Sequence, residues 1–237
     1  MKKFKITYLH HSGFICELGN AILVFDYYMD TEGKLDRLLK TSNKPLYFFV
    51  SHFHADHFNP EISRYEEKAA GYFLHSDCTL PVKNTVRLHY LEPGEFTSVN
   101  EFQVKMYGST DAGGSFWITH PDVTIFHAGD LNWWHWAGES DADNLMARDE
   151  YFKELEKLSG KQVDIAFFPV DARQAVAREW GVKAFLETVT VKTLLVPMHA
   201  FGRRWAPSYE FRWRFPDTPL WIPVSYTHLR AHETLRY

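Results

Sequence analysis

Residues 46–57 read Leu46-Tyr47-Phe48-Phe49-Val50-Ser51-His52-Phe53-His54-Ala55-Asp56-His57. Leu46 to Val50 is apolar without interruption, the pattern of a strand buried on both faces. Three imidazoles and a carboxylate then fall within six residues, and these are ligand types preferred by zinc and related divalent ions. If extended geometry persists through His52 and His54, alternation places both side chains on one side. Asp56 and His57 then turn away at the start of the next element and can address a second ion. Core filling and surface exposure do not explain such density, whereas histidine is the commonest protein metal ligand. The stretch marks a metalloenzyme.

The 237 residues suit one large domain or two small ones. With 45% hydrophobic and 24% charged residues, the composition is globular and can fill a sizeable core. Aromatic residues reach 16%, with eight tryptophans, which implies broad apolar packing or a lined pocket. A net charge of -4 argues against a phosphate-backbone partner, which ordinarily meets a basic face, so no nucleic acid is expected. Cys16 and Cys78 lie far apart and form no paired motif, as in a reduced cytosolic protein. Met1 to Ile6 passes straight into strand-like sequence, and no apolar run approaches membrane-spanning length. The expectation is a cytoplasmic protein with no membrane partner, its oligomeric state left open.

Val224-Ser225-Tyr226-Thr227-His228-Leu229-Arg230-Ala231-His232-Glu233-Thr234 resembles the in-frame translation of a sequencing-library adapter. Such sequence carries no selected information and is set aside. A single domain is therefore expected over 1–223, with 224–237 an artefactual tail, and the i, i+4 pair His228 and His232 is not read as a metal site.

Strand signals divided by turns dominate the first half, at 4–10, 13–18 and 21–26. A short helix is expected over 35–41 and another over 60–70, the latter capped by Asn59 with Pro60 at its first position. Further strands are expected around 71–74, 85–88, 101–107, 115–120 and 124–127. In the second half, 149–159 carries an apolar stripe of Tyr151, Phe152, Leu155 and Leu158 ending at Gly160. Strand 163–170, helix 182–188 and strand 194–197 follow. This order suggests two sheets packed face to face with helices outside.

His-x-His-x-Asp-His after a hydrophobic strand resembles the signature of the metallo-β-lactamase superfamily. Thr124-Ile125-Phe126-His127-Ala128-Gly129-Asp130 and Val196-Pro197-Met198-His199 are similar, in order, to its downstream aspartate and final histidine. Tyr8-Leu9-His10-His11-Ser12-Gly13-Phe14 with Ile22-Leu23-Val24-Phe25-Asp26 is similar to the first hairpin of its lactonase-like branch, which includes ascorbate-6-phosphate lactonase relatives. The resemblance implies an α/β (α+β) fold, the four-layer αββα sandwich. It also implies that His52 and His54 hold a first metal, that Asp56 and His57 hold a second, that Asp130 bridges the two and that His199 completes the second site. Two zinc ions are implied, with a single ion as the alternative.

The chain departs from this pattern at Gly108, where most relatives place a third histidine for the first metal. Three outcomes stand open: Asp111 supplies an oxygen ligand, the first metal binds weakly, or only one metal is used. A turn is the competing reading of the Ser109 to Gly114 segment. A carboxylate in place of an imidazole would favour a harder ion such as manganese. His127 is expected to stand behind the ligands or at a strand end. His11 is a candidate to line the substrate cleft, against a solvated turn histidine. Asp171 and Arg173 are substrate-binding candidates, the guanidinium suiting a carboxylate or phosphate, against a surface ion pair. In Asn132-Trp133-Trp134-His135-Trp136, some indoles, Trp133 among them, are expected to border the cleft and dry it, against core packing of the loop.

The chemistry this implies is hydrolysis of a small substrate by a metal-held hydroxide, made available near neutral pH by the cation. Asp56 is the candidate to orient it and accept its proton, with Asn132 or His135 stabilising developing charge. An ester, lactone or phosphoester fits equally, because fold does not set substrate. The rivals are a phosphodiesterase or nuclease, and a non-catalytic metal-binding or sensing protein with a degenerate first site.

Overall fold

Along Leu46–Val50 (β4), Tyr47 and Phe49 face one apolar layer and Leu46, Phe48 and Val50 another, so every residue of the strand is buried. That two-sided burial defines a strand at the centre of a layered fold. The computed structural model describes residues 4–199 and 204–223 and the backbone of 228–230. One sheet has the order β13-β1-β2-β3-β4-β5-β6. Its strands are β1 (Lys5–Tyr8), β2 (Phe14–Glu17), β3 (Ile22–Phe25), β4, β5 (Ala69–His75), β6 (Leu88–Leu91) and β13 (His228–Arg230). The other has the order β12-β11-β10-β9-β8-β7. It is built from β7 (Phe96–Val99), β8 (Phe102–Gly108), β9 (Gly114–His120), β10 (Val123–His127), β11 (Gln162–Pro169) and β12 (Thr190–Met198).

The sheets meet through aromatic side chains. Phe14 packs on Phe167 with ring centroids 4.6 Å apart, and Phe49 on Phe116 at 5.6 Å. Outside the first sheet, Leu35 and Leu39 of α1 (Lys34–Thr41) join Ile62 and Tyr65 in the second core. Outside the other, Phe185 of α3 (Trp180–Thr188) stacks on Phe126 and Phe168. Tyr151 of α2 (Asp141–Glu156) donates to the Gly181 carbonyl at 2.7 Å. The layers are helix, sheet, sheet, helix, as the αββα expectation required.

Several elements differ from the sequence reading. The segment expected as a helix over 60–70 is a 3-10 turn, Pro60–Tyr65, capped by Asn59 as expected, and the chain is extended again by Ala69. Helix α2 starts well before 149, where Ser140 accepts from the Asp143 N–H, a polar cap ahead of a polar first turn that apolar periodicity cannot reveal. Strand β7, the 3-10 turn Ala172–Ala177 and helix α4 (Tyr209–Arg214) were not anticipated. Backbone pairing of His228–Arg230 with Lys5–Thr7 falls inside the segment set aside as a tail; the rest of 224–237 lies outside the described residues.

Two sets of three parallel strands fix the position of the site. β3, β4 and β5 run parallel, as do β10, β11 and β12, and the candidate residues follow the carboxyl ends of these strands on one edge. Glycines let the connecting loops close in. Gly113 (φ +70°) has no room for a Cβ, which would lie 2.1 Å from the Ser51 carbonyl oxygen and 2.4 Å from His52 Cβ. Gly129 (φ +54°) sits equally close to Ser51 and the Gly114 carbonyl. Gly113→Ala should cost at least about 2 kcal/mol, from the left-handed backbone and the clash together. Thermal denaturation checks this, and an unchanged melting temperature would contradict the packing described.

Candidate metal centre

Beyond Val50 the chain leaves the sheet but keeps its alternation through the motif: Phe53 is 53% exposed, while His52 is buried and His54 half-buried. The His52 and His54 rings stand at right angles, 4.6 Å apart, with Nε2 and Nδ1 3.0 Å from each other. His57 N and Phe58 N both donate to the His54 carbonyl, and this turn swings Asp56 and His57 round. Asp130, after β10, projects its carboxylate between the two groups. Its Oδ2 lies 3.6 Å from His52 Nε2, while its Oδ1 lies 3.2 Å from His57 Nε2 and 3.3 Å from His199 Nε2. Ligand atoms of His52, His54 and Asp130 gather within 4.8 Å of one another, as do those of His11, Asp56, His57 and His199.

The other nitrogen of each central ring is held from behind. His57 Nδ1 lies 2.7 Å from Asp26 Oδ2, His199 Nδ1 lies 2.9 Å from Asp171 Oδ2, and His52 Nδ1 lies 2.9 Å from Ser51 Oγ. Asp26 itself accepts from the Ser51 N–H and hydroxyl at 2.8 Å each. Such partners orient a ring and turn its Nε2 towards the centre, the arrangement that metal-ligating histidines usually have. Imidazoles converging on a shared carboxylate thus fit divalent ions by their donor chemistry.

Electrostatics agree. Burial opposes ionisation of Asp130, but His57 and His199 outweigh it and hold the carboxyl well below the usual range. Burial likewise disfavours a charged His57, yet Asp130 and Asp26 overcome it and raise its pKa to about 10. His11 goes the other way: burial, then His199 and His57, push its pKa down to about 2. Backbone strain collects here too. His11 (φ 54°), Asp26 (φ 37°) and His199 (φ 61°) take left-handed conformations uncommon outside glycine, and such outliers cluster at functional sites.

The remaining candidate residues lie in differing surroundings. His11 is completely buried, so it does not line an open cleft; it stands among the ligand atoms. Asn132 is buried with its amide donating to Gln174 and its oxygen against Gly181, which ties the loop to the Ala172–Ala177 turn and to α3. His135 packs on Trp180, ring centroids 4.8 Å apart, and belongs to neither ligand group. Trp133 is partly buried and packs on Phe152 and Trp180 against the edge of the core; Trp134, at 5.2 Å from the His199 ring, and Trp136, stacked on Trp134, border the site. Asp171 is buried, with its carboxylate held between His199 and Arg173. Arg173 keeps a half-exposed side chain with its guanidinium 5.6 Å over the Trp136 ring. Asp111 is exposed and outside both ligand groups. Gly108 does not point at His52 and His54: a Cβ there would meet the Glu154 carboxylate of α2 at 2.4 Å. His127 stacks on Phe25 and faces the Ser12 carbonyl. Asp26 and Ser51 were missed as functional residues, although Asp26, a lone acid ending the buried run Ile22–Phe25, carried the same strand-end signal as the ligands.

Fold and site together define a metallohydrolase-type sandwich with two clusters of candidate His/Asp metal ligands at one edge. The beta-lactamase superfamily domain matches residues 5–147, and the chain belongs to the metallo-β-lactamase superfamily of hydrolases. It is 24% identical to a UPF0173 metal-dependent hydrolase of Methylacidiphilum infernorum, over 76% of this chain and 78% of that protein. Its fold is similar to that of Igni18, a metallo hydrolase from Ignicoccus hospitalis (TM-score 0.59, 15% identity, 96% of this chain and 98% of that one). It is also similar to the metallo-beta-lactamase fold protein YhfI from Bacillus subtilis (TM-score 0.56, 12% identity, 97% and 100%). Among the described residues no helix is long and apolar enough to cross a membrane.

Asp26→Asn keeps the shape and tolerates positive φ but loses the anionic acceptor behind His57. Zinc affinity should fall by about 10- to 100-fold with the fold retained. Competition against a chromophoric chelator measures this, and unchanged affinity would contradict the role given to Asp26.

Proposed function

We propose that the protein is a metal-dependent hydrolase of a small polar substrate carrying an ester, lactone or phosphoester bond. The observation that carries this is the split of Asp130: one oxygen turns to His57 and His199, the other to His52. Asp130, His52 and His54 would hold one ion, and Asp130, Asp56, His57 and His199 a second, zinc or manganese. Bound there, the ions supply Lewis acidity, making water a competent nucleophile near neutral pH and countering developing negative charge.

The chain's own residues do the rest. The Asp56 side chain is 33% exposed against 5% for Asp130, so it is the carboxylate of the centre that attacking water reaches. Its oxygens orient that water by hydrogen bonding, accept its proton and return it to the leaving oxygen. Trp134 and Trp136 wall one side and exclude bulk water. Arg173, steadied by Asp171, offers a cation within electrostatic reach of Asp56 and Asp130. That positive charge favours a substrate carrying a carboxylate or phosphate, which fits the lactonase-like likeness of the first hairpin.

Chelator-stripped protein should lose turnover across a panel of esters, lactones and phosphoesters, and zinc or manganese should restore it. Full activity after stripping would overturn the reading. Asp56→Ala should lower kcat on whichever panel member is turned over by about 100-fold or more. Near-normal kcat in that variant would exclude Asp56 as the proton acceptor.

A further inference from the structure

The turn carrying His11 is pinned on several sides. Gly13 N donates to His10 O at 2.7 Å, Leu9 N to Gly13 O at 2.9 Å, and His199 N to His11 O at 3.3 Å. His127 Nε2 lies 3.0 Å from Ser12 O, and a Cβ on Gly13 would lie 2.9 Å from Asp26 O. His11 itself holds φ at 54°, so the fold bears backbone strain to keep this ring in place. The ring lies 4.1 Å from that of His199 and 5.2 Å from that of His57, and its Nε2 is 3.4 Å from Asp56 Oδ2. A histidine serving only as core filler has no reason to gather with the ligand atoms of Asp56, His57 and His199 within 4.8 Å.

We propose that His11 is a further protein ligand of the ion held by Asp56, His57 and His199. This rests on the reading of the centre as a metal site. The consequence is a lopsided pair of sites sharing Asp130. Among the described residues, one offers three imidazoles and Asp56, and the other His52 and His54 without a third imidazole and without Asp111. The first therefore fills first and holds its ion more tightly, and the second exchanges readily.

The test uses chelator-stripped full-length protein. Co2+ added to His11→Cys should produce a near-ultraviolet thiolate-to-cobalt charge-transfer band that saturates with the first equivalent and is missing from wild type. A folded His11→Cys that binds Co2+ without the band overturns the proposal. In zinc titrations by calorimetry, wild type should take up two ions in two steps. His11→Asn, which tolerates the left-handed backbone, should weaken the tighter step by about 100-fold or more. His54→Ala should spare that step and remove the weaker one. Two unaltered steps in His11→Asn would overturn the role of His11 while leaving the metal centre intact. No zinc uptake by wild type would overturn the metal-centre reading itself, and His11 with it.

Discussion

A single carboxylate, Asp130, organises this centre. It is almost completely buried, at a position where an isolated charge would be costly, and it is stabilised there by the imidazoles around it. Because its two oxygens face different histidines, it converts a local cluster in the loop after β4 into a centre assembled from both sheets. His52, His54, Asp56 and His57 come from the first sheet, and Asp130 and His199 from the second. Each partner ring is itself held by an acceptor: Asp26 behind His57, Asp171 behind His199 and Ser51 behind His52. The ring orientations are thus determined by the protein before any ion is bound, the preorganisation that metal sites rely on.

The fold serves that carboxylate by aligning strand ends. Parallel pairing of β3 with β4, and of β10 with β11 and β12, sends successive strands to the same edge, so residues just past their carboxyl ends converge. Convergence at this range needs loops that touch, and Gly113 and Gly129 provide the contact, each at positive φ and each with no space for a side chain. Strain at His11, Asp26 and His199 belongs to the same economy of space: three residues hold unfavourable backbone because the surrounding contacts fix them there.

Much of this was legible in the sequence, for a physical reason. Continuous apolar runs ending in polar residues mark buried strands delivering side chains to an edge, and His52 to His57, Asp171 and His199 carry that signature, with Asp130 offset from its strand by Ala128-Gly129. Side-chain direction within loops was not legible. Three adjacent positions, Asn132, Trp133 and Trp134, look alike as candidates. Yet the first turns to Gln174, the second packs on α3, and only the third reaches His199. Gly108 was read as a vacated ligand position by alignment of the pattern, whereas its open side faces Glu154 of α2. His11 was ambiguous because a histidine in a Ser-Gly turn looks solvated; its burial depends on the end of β12 closing over it, a contact between residues remote in sequence. Capping at Ser140 and the 3-10 turn at Pro60–Tyr65 were likewise hidden, since polar first turns and short turns leave no apolar period to read.

The proposed hydrolytic chemistry depends on Asp130 bridging two ions. Anomalous diffraction at the zinc edge from crystals grown with excess zinc measures this directly. Two peaks flanking the Asp130 carboxylate are expected, one beside His52 and His54 and one beside Asp56, His57 and His199. A single peak, or two peaks of which neither touches Asp130, would contradict it.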